Sequence, residues 1–369
     1  MARSLTARGL AACGLVARGL VARGLAVFGL AVLGLAAGGC ATGPAAPAAS
    51  VTAGAARPAH WQPFRHVPGV VDLAPPRAGG ALTVAAAGHL FLLAAPGRLV
   101  AFARGAGGYA TATGPEPYIA LATGAPVTAA SCPFGADSTY ALEPATAPGV
   151  ISIDRRGQAH RFASLPGTRP NGIVFDGVGR FGHRLLVTAS AAGGAAVFAI
   201  DCAGQVTTIT SHAPRAEGGI AVAPPSFGAF GGDLITPDEI TGRIWAIGPD
   251  GQARLVARSH LPSGGDIGSE SAGFVPAGFG PDWAAYVADR RVPGNRHPGT
   301  DSILRLPGAE LTAAGAGPGA LVVASEGGAQ TVAIACAATC TVRHIADGPA
   351  PSHVEGHIVF APSATSTAP

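Results

Sequence analysis

Three octapeptides stand 47 residues apart along the chain: ISIDRRGQ at 151–158, FAIDCAGQ at 198–205 and WAIGPDGQ at 245–252. A fixed period of that length marks a repeat architecture, in which each repeat is one supersecondary unit stacked on its neighbours. Aligned on the octapeptides, the units share an order of parts. A first apolar run (GIVFD, GIAVAP, AGFVP) leads into a glycine-rich turn carrying Phe (GVGRFG, FGAFGG, GFGPD). A second run follows (HRLLVTAS, DLITPDE, WAAYVADR), then a third that carries the octapeptide, then a polar, β-branched fourth (QVTTITSH, QARLVARSH). Short strands in fours, bounded by turn residues, predict an all-β propeller with antiparallel four-stranded blades. After residue 60 no stretch sustains a 3.6-residue period, so helix is not expected.

Runs with the character of third strands lie near 98–103, 150–154, 196–201, 243–247, 302–306 and 331–335, which predicts six blades. A seventh stays open. The innermost strand before 320 is hard to place, and EGHIVFAP at 355–362 is left over as a candidate ring-closing strand. Composition agrees with many short elements: the chain holds 55 Gly and 32 Pro, and only 12% of it is charged.

The N-terminal segment is a separate object. Residues 1–39 carry Arg3, Arg8, Arg18 and Arg23, then an uncharged apolar run, then small residues, the layout of a secretory signal. AAGGC at 36–40 resembles a bacterial lipobox, which implies a lipidated Cys40 and a chain held on the outer face of the cytoplasmic membrane. Residues 40–60 read as a flexible tether, 61–362 as the propeller and 363–369 as a disordered tail. Without residues 1–39 there are 20 basic and 21 acidic residues, a net charge of −1, so nothing in the composition supports a nucleic-acid partner. A monomer is expected, with a small polar molecule or an extracellular protein as partner.

Cys132, Cys202, Cys336 and Cys340 remain once Cys13 and Cys40 are set aside, and export favours two disulfides. CAATC at 336–340 fits a bridged hairpin, which leaves Cys132–Cys202 as the second pair. Zinc is the rival reading, and no finger-like spacing supports it.

The order PNG/EGG, apolar strand, GxFGG, LxVxD, xIxxIxxDG resembles the six-bladed propellers grouped with gluconolactonase, regucalcin and NHL-repeat proteins, including TolB-like members. The resemblance runs over roughly 75–362 and is clearest over 165–306. It implies a divalent metal at one end of the central channel, held by Glu, Asn and Asp at inner-strand starts. The matching positions are Asn171 in RPNG and Glu217 in RAEGG, with Glu270 and Glu355 at comparable starts. The family's early Glu has no counterpart in GAP at 124–126.

Propeller geometry makes this a physical expectation. Strands of one blade are antiparallel, so the start of the first and the end of the second share a face. Asn171, Glu217, Glu270 and Glu355 at strand starts, with Asp238, Glu239, Asp289 and Glu326 at second-strand ends, should gather at one mouth. Asn171, Glu217, Glu270, Glu355 and Asp289 are the expected ligands, and oxygen donors of this kind suit Ca²⁺ or Mg²⁺. The alternative is that these side chains satisfy backbone N–H groups or pair with arginines. Asp154, Asp201 and Asp250, in the octapeptide turns, belong to the opposite face and read as turn residues.

The loop ADRRVPGNRHPGTD at 288–301 offers Arg290, Arg291, Asn295, Arg296 and His297 for a carboxylate or phosphate of a ligand. No G-x-S-x-G, P-loop or H-E-x-x-H motif occurs. If the protein is an enzyme, metal-assisted lactone or ester hydrolysis is expected, with Glu217 or Asp238 as base. A non-catalytic surface-binding propeller is the alternative.

Overall fold

The computed structural model describes residues 58–104, 116–128, 130–145 and 147–363. Residues 1–39, read as an export signal, Cys40 and the residues after Ser363 lie outside the described residues. Strand pairing begins inside the stretch read as tether, with β1 (Ala59–His60) and β2 (Gln62–His66).

Four sheets of four strands follow. The first is β3 (Val70–Ala74), β4 (Leu82–Ala86), β5 (His89–Ala94) and β6 (Arg98–Arg104). The second is β7 (Ile119–Leu121), β8 (Thr139–Glu143), β9 (Gly149–Ile153) and β10 (Ala159–Ser164). The third is β11 (Arg169–Phe175), β12 (Leu185–Ala191), β13 (Gly194–Ile200) and β14 (Val206–Ala213). The fourth is β15 (Ala221–Val222), β16 (Leu234–Asp238), β17 (Arg243–Ile247) and β18 (Ala253–Arg258). The rest of the chain forms β19 (Ser269–Phe274), β20 (Trp283–Asp289), β21 (Ser302–Pro307), the helical turn α1 (Gly308–Ala313), β22 (Leu321–Ser325), β23 (Thr331–Cys336), β24 (Cys340–Asp347) and β25 (Val354–Pro362).

These last strands make one nine-stranded sheet, ordered β1-β24-β23-β22-β19-β25-β20-β21-β2. Two antiparallel runs, β19-β22-β23-β24 and β25-β20-β21-β2, meet where β19 and β25 lie parallel, with Ala272 opposite His357. The innermost strands touch in the cycle β3, β7, β11, β15, β19, β25 and back to β3, so the sheets close into a propeller.

Two expectations are corrected here. The run near 98–103 is β6, the fourth strand of its sheet and not the third. AGFVP and WAAYVADR do not form one unit, because β19 pairs with β22 while β20 pairs with β25. Proximity in sequence favours a β19–β20 hairpin. The C-terminal strand overrides it: β25 has nine residues, eight of them buried, and aligns with β20 from Trp283↔Pro362 to Asp289↔Val354.

The octapeptides encode contacts between neighbouring sheets. Asp154 Oδ1 accepts from the backbone N of Arg156 and Gln158 at 2.8 and 2.9 Å, and Asp201 does the same for Ala203 and Gln205, both at 2.9 Å. Asp250 Oδ1 accepts from Gln252 N at 3.1 Å, so all three are turn residues as read. The glycine that follows has φ of +84° at 157, +80° at 204 and +78° at 251. A Cβ on Gly157 would sit 2.8 Å from Phe102 O, and on Gly204 or Gly251 closer still to Phe162 O or Ile209 O. Those carbonyls belong to the outer strands β6, β10 and β14, so each turn tucks under the edge of the preceding sheet.

Cys132–Cys202 ties the loop before β8 to the β13–β14 turn, and Cys336–Cys340 closes the β23–β24 hairpin, with Cα separations of 6.0 and 4.0 Å. Aromatic rings fill the wedge between the second and third sheets: Phe134 meets Tyr140 at 5.3 Å and Phe175 at 4.8 Å, both edge-on.

Asp72, fully buried on β3, joins three inner strands. Its Oδ2 accepts from Ile119 N of β7 at 2.7 Å, its Oδ1 accepts from His357 N of β25 at 2.7 Å, and His357 Nδ1 lies 3.0 Å from Oδ2. The axis is pinched at this level. A Cβ on Gly219 would collide with Gly356 O and come within 2.7 Å of Ala272 N. The glycines of AEGG and VEGH let β15 approach β25 and β19 where any larger residue would hold them apart.

Candidate functional site

Above the pinch the strand starts and second-strand ends converge as strand direction requires. Glu116 and Tyr118 precede β7 or abut it, Glu217 precedes β15, Glu270 lies in β19, and His353 and Glu355 open β25. Glu239, Arg290 and Glu326 directly follow β16, β20 and β22.

Glu355 is the hub. Its Oε2 lies 2.7 Å from Tyr118 Oη, and its Oε1 lies 3.3 Å from His353 Nε2 and 3.4 Å from Arg290 Nη1. Tyr118 Oη also lies 2.8 Å from Glu270 Oε1. One hydroxyl proton serves one acceptor, so Tyr118 donates to Glu355 and a protonated Glu270 completes the chain. Arg290 also pairs with Glu116, and His353 Nε2 donates to Glu326 Oε1 at 2.7 Å.

Burial penalises every charge here, and the winners are those with partners. Against that burial, the His353 hydrogen bond and the Arg290 charge hold Glu355 down to about 2. Burial likewise works against His353, whose bonds to Glu326 and Glu355 raise it to about 10. Arg290 is held charged by Glu355 and Glu116 despite its burial. The remaining acids go the other way. Burial and the Glu355 charge push Glu270 well up and Glu116 to about 7. Burial raises Glu326 to about 8 in spite of His353, and burial with the Glu239 charge raises Glu217 to about 8. The mouth is therefore a proton-loaded carboxyl cluster around one ionised acid and two cations.

Among the described residues two triads could surround an ion, each with ligand atoms within 4.8 Å of one another: Glu326, His353 and Glu355, and Glu239, Glu270 and Glu326. The first is spent, because His353 Nε2 carries the proton shared with both glutamates. The second fits a cation. Glu326 is 4% exposed and its Oε2 finds no partner among the described residues. An orphaned buried carboxyl oxygen on a residue grouped with two further carboxyl groups suits a hard cation that displaces their protons.

The expected residues divide. Glu270 and Glu355 meet at Tyr118. Asn171 Nδ2 donates to Ala216 O at 2.7 Å and Ser190 Oγ at 3.1 Å, and its buried Oδ1 is unpartnered among the described residues. Glu217 shares a small recess with Ser190, Arg215, Asp238 and Glu239. Three assignments are revised. Asp289 accepts from His353 N through Oδ1 and from Thr300 Oγ1 through Oδ2, so both oxygens serve the fold. Asp238 accepts from Thr241 N and Thr241 Oγ1 in the same way. Arg290 is buried in ion pairs and offers no fork to a ligand.

Arg291 and Arg296 are exposed. Asn295 Oδ1 accepts from His297 N at 2.8 Å, and His297 Nδ1 lies 2.8 Å from Ala350 O. The loop thus packs on the segment that leads into β25. Glu116, Tyr118 and His353 were missed by sequence reasoning. PEPYIAL at 115–121 places a polar side chain ahead of an apolar strand as RPNG and AEGG do, and SHVEGH contains His353 two residues before Glu355. That pattern could have found them.

No protein-family model and no curated protein matches the chain. Solved propellers do resemble it. Regucalcin from Agrobacterium tumefaciens, described as calcium-binding, is 14% identical with a TM-score of 0.47, over 81% of this chain and 82% of that one. A structural-genomics gluconolactonase target is 9% identical with a TM-score of 0.48, over 82% and 91%. A TolB-type protein from Agrobacterium tumefaciens is 10% identical with a TM-score of 0.46, over 78% and 89%. These likenesses concern the fold and carry nothing about chemistry.

Proposed function

We propose that this protein is a six-bladed propeller that binds a divalent cation, Ca²⁺ or Mg²⁺, and a small polar ligand at its carboxyl-lined mouth. Glu239, Glu270 and Glu326 hold the cation, with Asn171 and Glu217 beside it for the ligand. The observation that carries the reading is the buried, unpartnered Oε2 of Glu326 within a triad of carboxyl groups from three separate strand ends. Calorimetric titration of the full chain with Ca²⁺ and Mg²⁺ tests it. Saturable binding is expected, about tenfold weaker in Glu270→Gln, which keeps a hydrogen bond to Tyr118 but has no proton to give up and so cannot become an anionic ligand. Absence of heat and of any thermal shift with either ion would sink the reading.

If the site is catalytic, the reaction is lactone or ester hydrolysis. A bound cation polarises a carbonyl and lowers the pKa of water. Glu217 then moves the proton, because it is only partly buried, titrates at about 8 and, unlike Asp238, is not engaged by a turn. A lactone and ester panel with and without cation, comparing the protein with Glu217→Gln, separates this from a non-catalytic platform. Cation-dependent turnover lost in the variant favours the enzyme, and inertness across the panel favours the platform. Export and lipidation at Cys40 complete the proposal from the N-terminal sequence. Membrane association of the full chain, abolished in Cys40→Ser, is the expected outcome.

A further inference from the structure

The opposite end of the same axis holds a cavity of about 590 Å³, inside the range of roughly 300–1,000 Å³ usual for small-ligand sites. It is walled by the C-terminal ends of β7, β11, β15, β19 and β25 and floored by the pinch at Ile220, Ala272 and His357. Leu121, Phe175, Val222, Phe274, Trp283 and Phe360 give it an apolar and aromatic lining. Among the described residues the exposed large apolar side chains are Val100, Val206, Ile240 and Leu255, none of them at this cavity. Apolar surface collected in one concave place marks a binding site more than scattered exposure does.

Charge narrows the occupant. Asp137 and His357 are the only titratable side chains in the lining among the described residues. Asp137 Oδ1 accepts from Ala78 N at 3.0 Å, and His357 Nδ1 lies 3.0 Å from Asp72 Oδ2, so the pair at the floor is balanced. Among the described residues the lining offers an anion no cation: Arg77, between the lining residues Pro76 and Ala78, is turned to Asp137 O at 2.6 Å and stacked on the Phe102 ring, where it offsets the Asp137 carboxylate. Four aromatic residues, Phe175, Phe274, Trp283 and Phe360, offer ring faces and edges instead. From this geometry we infer that the cavity is a second ligand site, separate from the carboxyl mouth, that takes an uncharged small molecule bearing an aromatic ring. The inference does not depend on cation binding or catalysis at the other end.

The test is a fluorescence titration of the full chain with the neutral probe N-phenyl-1-naphthylamine and the anionic probe 8-anilinonaphthalene-1-sulfonate. Two variants fill the cavity: Val222→Trp from the wall and Ala78→Trp from the exposed rim, where folding is not at stake. Saturable binding of one neutral probe per chain is expected, about tenfold tighter than the anionic probe and about tenfold weaker in each variant that keeps its thermal transition. Three results would overturn the inference: no saturable binding of the neutral probe, equal binding of both probes, or affinity unchanged in Ala78→Trp. Sedimentation adds a fourth. A dimer that dissociates as the probe binds would make a second copy of the chain the natural occupant.

Discussion

The two ends of the central axis are built by the same inner strands and have opposite chemistry. β19 and β25 show the change: Glu270 lies at the start of β19 and Phe274 ends it, and Glu355 lies at the start of β25 while Phe360 lies near its end. The pinch at Gly219, Gly356 and His357 stands between. At the mouth, burial drives acids to keep their protons unless a cation compensates. At the cavity, burial costs little because there is almost nothing to charge. One architecture therefore holds an electrostatically tense site and an electrostatically quiet one.

Breaking the pinch gives the largest expected effect. Asp72→Ala removes the acceptor for two inner-strand N–H groups and takes from buried His357 its only carboxylate partner among the described residues, a loss of about 3–5 kcal/mol. Urea unfolding should show the midpoint falling, and a shift below about 1 kcal/mol would mean the strands close without this residue.

Next comes the hub of the mouth. Glu355→Gln removes the ionised acid that Arg290 and His353 share, leaving Glu116 and Glu326 to hold them, and should lower stability by about 2–4 kcal/mol, measured in the same way. His353 should keep part of its elevated titration through Glu326 and lose the part owed to Glu355, visible by NMR as an imidazole that deprotonates at lower pH than in the unaltered chain.

The two ends also respond differently to pH. Glu217 and Glu326 ionise near 8 in the folded chain against an ordinary 4.5, so the folded state binds more protons than the unfolded one across that interval. Stability is then full below about 4.5 and declines as pH rises toward 8. His353 adds to the decline between its ordinary 6.5 and about 10. Glu355 acts in the opposite sense, losing its contribution as pH falls from 4.5 toward 2. Thermal midpoints across pH should follow this shape, with the decline flattened by Ca²⁺ or Mg²⁺. Probe binding at the cavity should barely change over the same range.

The smallest effect belongs to the loop over 290–301. Arg291→Ala and Arg296→Ala, both exposed, should change stability by less than about 0.5 kcal/mol. They should also leave cation affinity unaltered, which calorimetry can check. A large loss of affinity in either would restore that loop to the site.

Much of this was legible in the chain because it is local. The 47-residue spacing, the Asp and Gly of each octapeptide turn and the hairpin cysteines act through hydrogen bonds and contacts that a few residues can specify. Acids ahead of apolar strands predicted a polar mouth, since strand direction alone decides which ends share a face. What sequence could not supply was partnership at a distance. β20 prefers β25 over its neighbour β19 only because a long buried C-terminal strand is available to it. Glu116, Arg290 and Glu355 come from positions 116, 290 and 355 and acquire their protonation from one another after the ring has closed. The apolar cavity likewise exists in no single segment, because it is the space left between strand ends whose separation the pinch fixes. Local chemistry wrote the strands and turns, and desolvation on closure decided which of the gathered groups stayed charged.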